Sequence, residues 1–113
     1  MANNNLIFGL EARHYADIAQ ILDKFSVDRV VIYGSRAQGS AKPASDFDLA
    51  IVAPGLDDSQ FSQLWLQLTS LPLVFKLDIV HWDTLVSASL KNKIARDGKT
   101  FYPLASGETP GYR

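Results

Sequence analysis

Val30-Val31-Ile32-Tyr33 runs straight into Gly34-Ser35-Arg36-Ala37-Gln38-Gly39-Ser40. After Ala41-Lys42-Pro43-Ala44-Ser45 the chain resumes as Asp46-Phe47-Asp48-Leu49-Ala50-Ile51-Val52-Ala53. The first four residues are β-branched or aromatic and read as a strand. Gly34-Ser35 closes it, and residues 34–39 read as a turn followed by one helical turn. Pro43 keeps 41–45 out of regular helix. Residues 47–53 form a second strand, closed by Pro54-Gly55. Two carboxylates at the head of an apolar strand ask for a chemical reason.

Outward from this stretch the pattern alternates between helix and strand. Tyr15, Ile18, Ile21, Leu22 and Phe25 recur at three- and four-residue spacing, which predicts a helix over 11–25. The strand before Gly34 spans 28–33. Asp57 or Asp58 can cap a helix reaching about residue 70, with Phe61, Leu64, Trp65 and Leu68 as its apolar face, and Pro72 ends it. Residues 73–81 read as a third strand. Asp83 or Thr84 can cap a helix over 85–96, with Asp97-Gly98 as its stop. A short strand over 100–102 follows, then a tail over 104–113. The order α-β-β-α-β-α-β predicts an α/β (α+β) fold, a compact mixed sheet with helices packed on it. One domain over 1–113 is expected, its core about 10–103. Trp65 reads as core and Trp82 as core or partner surface.

A near-neutral balance, net charge -1, argues against an extended nucleic-acid footprint, although not against binding one nucleotide. Without cysteine there is neither a disulfide framework nor thiolate chemistry, which fits a reducing compartment. No apolar run approaches a membrane span, and the first residues lack the charged and apolar regions of a signal peptide. A cytoplasmic protein is expected.

Residues two apart in a strand share a face. Asp46 and Asp48 therefore point one way, and Phe47, Leu49 and Ile51 the other, into the core. In the third strand Asp78 shares a face with Lys76. If the two strands are neighbours in register, three carboxylates converge on one side of the sheet. Like charges so gathered need cations, and Mg²⁺ is held by a few carboxylates together with water and substrate phosphates. Such a cluster can hold two ions about 3.5–4 Å apart, the arrangement that clamps attacking and leaving oxygens in phosphoryl chemistry. Gly34 allows close backbone approach, and the Ser35 hydroxyl with the amides after it can meet phosphate oxygens. Arg36 or Lys42 can add positive charge. The P-loop pattern is absent. The plainer readings are an Asp-x-Asp cap or edge device, an ordinary Gly-Ser turn, and an Asp78–Lys76 ion pair. A buried, unpaired Asp78 in an interior strand would be costly. His81 and His14 read as surface or interface residues rather than bases.

Gly34-Ser35, ten residues, then Asp46-Phe47-Asp48, with Asp78 in a later strand, resembles the signature of the DNA polymerase β-like nucleotidyltransferase superfamily. The fuller strings from Gly34 to Gly39 and from Ser45 to Ala50 look like its minimal nucleotidyltransferase (MNT) branch. The resemblance spans about residues 10–103. It implies that Asp46, Asp48 and Asp78 are catalytic and hold two Mg²⁺ ions, with Asp78 favouring deprotonation of an acceptor hydroxyl. It implies that Gly34, Ser35, Arg36 and Ser45 bind the nucleotide, with Gly34 and Ser35 on the β- and γ-phosphates and Arg36 in a phosphate or structural role. The acceptor oxygen would attack the α-phosphate of ATP and pyrophosphate would leave. Members of the branch pair with small helical HEPN-type or substrate-binding proteins; in toxin–antitoxin pairs the MNT antitoxin transfers AMP to a partner tyrosine. Two other outcomes stay open: transfer to a small-molecule hydroxyl with a separate substrate-binding subunit, and a non-catalytic module that silences its partner by contact. Apolar residues of the helices at 61–68 and 85–94 are available to a partner or to a homodimer.

Overall fold

The computed structural model describes residues 6–42 and 44–104. The expected tail beyond Leu104, the first five residues and Pro43 lie outside the described residues. Helix α1 (Ala12–Asp23) leads to strand β1 (Arg29–Tyr33), the single turn of helix α2 (Ser35–Gln38) and strand β2 (Phe47–Val52). Helix α3 (Asp58–Thr69), strand β3 (Leu77–His81), a 3₁₀ turn (Trp82–Thr84), helix α4 (Ala88–Asp97) and strand β4 (Lys99–Tyr102) complete it. The strands form one mixed sheet in the order β3-β2-β1-β4. β1 runs antiparallel to β2 and β4, whereas β2 and β3 are parallel.

Strand alternation divides the side chains between two faces. Val30, Ile32, Phe47, Leu49, Ile51, Leu77 and Ile79 point to one, where they form the main core with Tyr15, Ile18 and Leu22 of α1 and Leu64 and Leu68 of α3. Val31, Tyr33 and Ala50 point to the other and pack with Ile94 of α4. The apolar positions of α1 and α3 thus follow the expected stripes, with one exception. Trp65, read as core, is 44% exposed, because Leu64 and Leu68 carry the buried side of α3 and Trp65 sits beside that line. Asp57 caps α3 in a reciprocal capping box with Gln60.

Two expectations need correction. The third strand begins at Leu77 rather than at 73. Its parallel partner starts at Phe47, whose N–H donates to the Lys76 carbonyl, and the chain before Phe47 turns away, so residues 73–76 have no strand to pair with. Val74 is 87% exposed. The last helix begins at Ala88 with Ser87 as its cap, because a 3₁₀ turn occupies residues 82–84. Asp97-Gly98 ends that helix as expected, with Gly98 in ordinary extended conformation, φ -72° and ψ 150°. Its reason is space: a Cβ there would lie 2.4 Å from both Val31 Cγ1 and the Ile94 carbonyl oxygen.

His81 closes the end of β2. Its Nε2 lies 3.0 Å from the Ala53 carbonyl oxygen, which only accepts, so Nε2 carries the proton. Asp83 Oδ2 accepts the Ala53 N–H at 2.7 Å, and the imidazole stacks on Phe61 of α3 with ring centres 4.5 Å apart. Both polar groups of a fully buried Ala53 are thereby satisfied. His81→Ala removes the stack and orphans that carbonyl, so a loss of about 2–4 kcal/mol in denaturant unfolding is expected. Activity per folded molecule should persist; its loss in a folded variant would instead give His81 a part in the chemistry.

Candidate active site

Register assembles the site. Asp48 stands opposite Asp78 across the parallel β2–β3 pair and opposite Tyr33 across the antiparallel β1–β2 pair. All three side chains therefore share the face covered by α4. Asp46 precedes Phe47, the first paired residue of β2, and is exposed, so the pleat does not fix its side chain. Among the described residues, no three acidic or histidine side chains stand together as a ready-made metal site. The expected convergence is thus a registered pair, Asp48 and Asp78, with Asp46 beside it.

The electrostatics bind the three together. The Asp48 carboxyl is raised above the usual carboxylate range, first by burial, then by the charges of Asp78 and Asp46, and Lys93 of α4 works against the rise. The Tyr33 phenol is pushed up to about 12 by burial and then by Asp48 and Asp78, so it stays neutral beside them. An all-oxygen donor set with mutual repulsion fits a hard divalent cation, which would relieve the strain on Asp48. Asp78 is exposed: β3 is the sheet's edge strand, and Asp78 points away from the face that buries Leu77 and Ile79. The expectation of an interior strand and a costly buried carboxylate therefore does not hold. Nor does the Lys76 pairing: among the described residues no ion pair joins Lys76 to Asp78.

Gly34 sits against the acidic pair. Its φ is +75°, and a Cβ built on it would lie 2.4 Å from Asp48 Oδ2. Ser35 starts α2 immediately after, and the Gly34 carbonyl accepts from the Ala37 and Gln38 N–H groups, which holds the turn tight. Gly34 of the candidate phosphate turn is therefore in contact with Asp48, although thirteen residues separate the two in sequence.

Arg36, expected in a phosphate or structural role, makes contacts within the fold. It is only 5% exposed; Nη2 and Nε donate to the Ser45 carbonyl at 2.8 and 3.3 Å, and its guanidinium lies 4.1 Å above the Phe47 ring. Ser45 is thereby anchored, and its hydroxyl accepts the Lys42 N–H at 2.9 Å. These bonds hold the end of the 39–46 excursion so that β2 enters the sheet with Asp48 against Gly34. Lys42 is exposed on the same excursion, and His14 pairs with Glu11 at the start of α1. Trp82 is half-buried, with Lys91 Nζ 5.7 Å from its ring centre. Sequence reasoning missed Tyr33 and Lys93 as neighbours of Asp48. Alternation would have put Tyr33 on that face once the register was known; nothing in the sequence marks Lys93.

Residues 16–104 match the family model described as polymerase beta, nucleotidyltransferase. No curated protein matches the chain. Among solved structures, a chain assigned as a minimal nucleotidyltransferase is 26% identical with a TM-score of 0.61, covering 87% of this chain and 98% of its own. A toxin–antitoxin crystal structure with AMP-PNP contains a chain 24% identical, TM-score 0.62, covering 83% of this chain and 77% of that one. A tri-AMPylated HEPN toxin from Shewanella oneidensis in complex with an MNT antitoxin contains a chain 22% identical, TM-score 0.57, covering 80% and 70%. At these identities the last two establish likeness of fold.

Proposed function

The chain belongs to the polymerase β nucleotidyltransferase family, and on that footing we propose that it transfers AMP from ATP to a tyrosine hydroxyl of a HEPN-type partner protein, as the antitoxin of a toxin–antitoxin pair. The observation that carries the reading is the contact between the Gly34-Ser35 turn and the Asp48–Asp78 pair, which sets a phosphate cradle against carboxylates on one face. The AMP-PNP and tri-AMPylated toxin complexes of like fold support ATP as donor and a HEPN protein as acceptor. One domain, working in the cytoplasm, suffices for this chemistry. Among the described residues no helix is long and apolar enough to cross a membrane.

Asp46, Asp48 and Asp78 would hold the two Mg²⁺ ions of the family. When bound, these would polarise the α-phosphate and acidify the acceptor hydroxyl. Ser35 and the Gly34 backbone hold the β- and γ-phosphates. Ser45 supports the site by fixing the chain before Asp46. The acceptor oxygen bonds to the α-phosphorus while the bond to the bridging oxygen breaks, and pyrophosphate leaves with the electron pair. Asp78, at the open edge of the sheet, favours loss of the acceptor's proton. An edge position lets a bulky acceptor approach from the side, which favours a protein over an enclosed small molecule. With ATP labelled at the α-phosphate, the partner should become labelled; with label at the γ-phosphate, it should not. Label moving from the γ-position, or appearing only on a small molecule, would overturn this acceptor and reaction.

A further inference from the structure

Asp46 lies just before the paired part of β2, so the pleat of the sheet does not fix it. The residues on either side of it are held by one side chain. Arg36 donates to the Ser45 carbonyl through Nη2 and Nε, at 2.8 and 3.3 Å, and its guanidinium lies 4.1 Å above the Phe47 ring. Where Asp46 stands therefore follows where Arg36 stands. Behind the guanidinium is Gly9. A Cβ built on Gly9 would lie 2.7 Å from Arg36 Nη1, so only a hydrogen fits between them.

A tight turn delivers Gly9 to that position. Ile7 and Leu10 exchange both backbone hydrogen bonds, at 2.8 and 2.9 Å, across Phe8 and Gly9, whose φ values are 54° and 85°. Two left-handed residues between bridged neighbours follow the pattern of the I′ hairpin turn. A left-handed phenylalanine is strained, and such strain persists only where the surroundings over-determine it. Here Ile7 and Leu10 are buried in the main core, and Phe8 rests near Phe101 with ring centres 6.3 Å apart. Packing thus holds the turn against Arg36.

We propose that the Phe8-Gly9 turn is a positioning element of the active site: Gly9 backs Arg36, and Arg36 sets Asp46 for the metal. This rests on the nucleotidyltransferase reading of the site. Gly9 is a positioning residue and acts through Arg36 alone. Arg36 has little room to yield to a larger residue. It is 5% exposed, and moving it gives up the Ser45 carbonyl or the Phe47 ring.

The test measures Mg²⁺ affinity by calorimetry with the metal alone, and AMP transfer to the HEPN-type partner per folded molecule, with thermal melting as the check on folding. Gly9→Ala and Gly9→Asn should each weaken Mg²⁺ binding and slow transfer by about ten- to a hundredfold, the usual cost of removing support behind a metal ligand. Asparagine tolerates left-handed backbone, so Gly9→Asn should melt closer to wild type while losing as much function. Gly39→Ala, also left-handed but with nothing within 4 Å of the added Cβ among the described residues, should lose stability only. Arg36→Met should show the functional loss by itself. Adding Gly9→Ala to it should then change Mg²⁺ affinity and transfer by no more than about twofold, because the new Cβ meets no guanidinium. Wild-type values in the folded Gly9 variants, additive losses in the double variant, an equal functional loss in Gly39→Ala, or failure of both Gly9 variants to fold would each overturn the role of the turn alone. A wild type that neither binds Mg²⁺ nor transfers AMP would overturn the reading of the site together with it.

Discussion

Asp48→Asn should abolish transfer, by about a thousandfold or more, and make the folded protein more stable. Asp48 lies between Asp78 and Asp46 and is partly buried, so its ionised form is disfavoured by desolvation and by both neighbours. Asparagine keeps the shape and removes the charge. The expected gain is a melting temperature roughly 2–5 °C higher at neutral pH, kept modest by solvent screening at this half-exposed position. The pH dependence has a definite sign. A carboxyl whose pKa is raised on folding holds its proton more tightly in the folded state, so wild-type stability falls as pH rises from the ordinary carboxylate value, about 4, through the folded value. The two proteins should therefore melt alike below about pH 4 and diverge above it. Mg²⁺ should raise the melting temperature of wild type and leave Asp48→Asn nearly unmoved, since a ligand stabilises only the state that binds it. Melting curves across pH and Mg²⁺ measure all of this. A variant no more stable than wild type at pH 7 would contradict the repulsion inferred for the site.

Gly34→Ala should disable the site by steric means, leaving every charge in place. The new Cβ would stand 2.4 Å from Asp48 Oδ2, far inside van der Waals contact, at a φ of +75° that an L-residue adopts only with strain. Asp48 can relieve the clash by rotating its carboxylate, but that rotation moves the oxygen out of place. Misplacement by about 1 Å costs on the order of a hundredfold in rate. A stability loss of about 1–3 kcal/mol is expected from backbone strain. Gly39→Ala is the control. Gly39 is also left-handed, at φ +78°, but among the described residues nothing lies within 4 Å of its added Cβ. It should show the strain alone, with transfer per folded molecule unchanged. Similar loss of transfer in both variants would remove the proposed contact between turn and carboxylate from the mechanism.

The essentials of the fold and of the acidic pair were legible because they depend on local rules. Alternation placed Asp48 opposite in face to Phe47 and Leu49, and the parallel register of β2 and β3 then brought Asp78 alongside. What escaped was set by tertiary partners. Residues 73–76 have strand-like composition but lose their pairing because Arg36 fastens Ser45 and turns the preceding chain aside. Asp78 reads as interior from its apolar flanks, yet the strand order puts β3 at the edge. The helix after β3 starts late because Trp82–Thr84 forms a 3₁₀ turn and Ser87 caps. Arg36, basic and next to the turn, reads equally as a phosphate or a structural residue, and its burial against Phe47 and Ser45 depends on tertiary contacts that the sequence does not display. Lys93 is one of several α4 charges, and nothing in the sequence marks it as one whose charge reaches Asp48.

The most direct measurement is the intact mass of the HEPN-type partner after incubation with this protein, ATP and Mg²⁺, followed by mapping of the modified residue. Wild type should add AMP to a partner tyrosine, and Asp48→Asn should add none while still forming the complex. AMP addition by Asp48→Asn, or an unmodified partner silenced equally by both proteins, would contradict nucleotidyl transfer from this site.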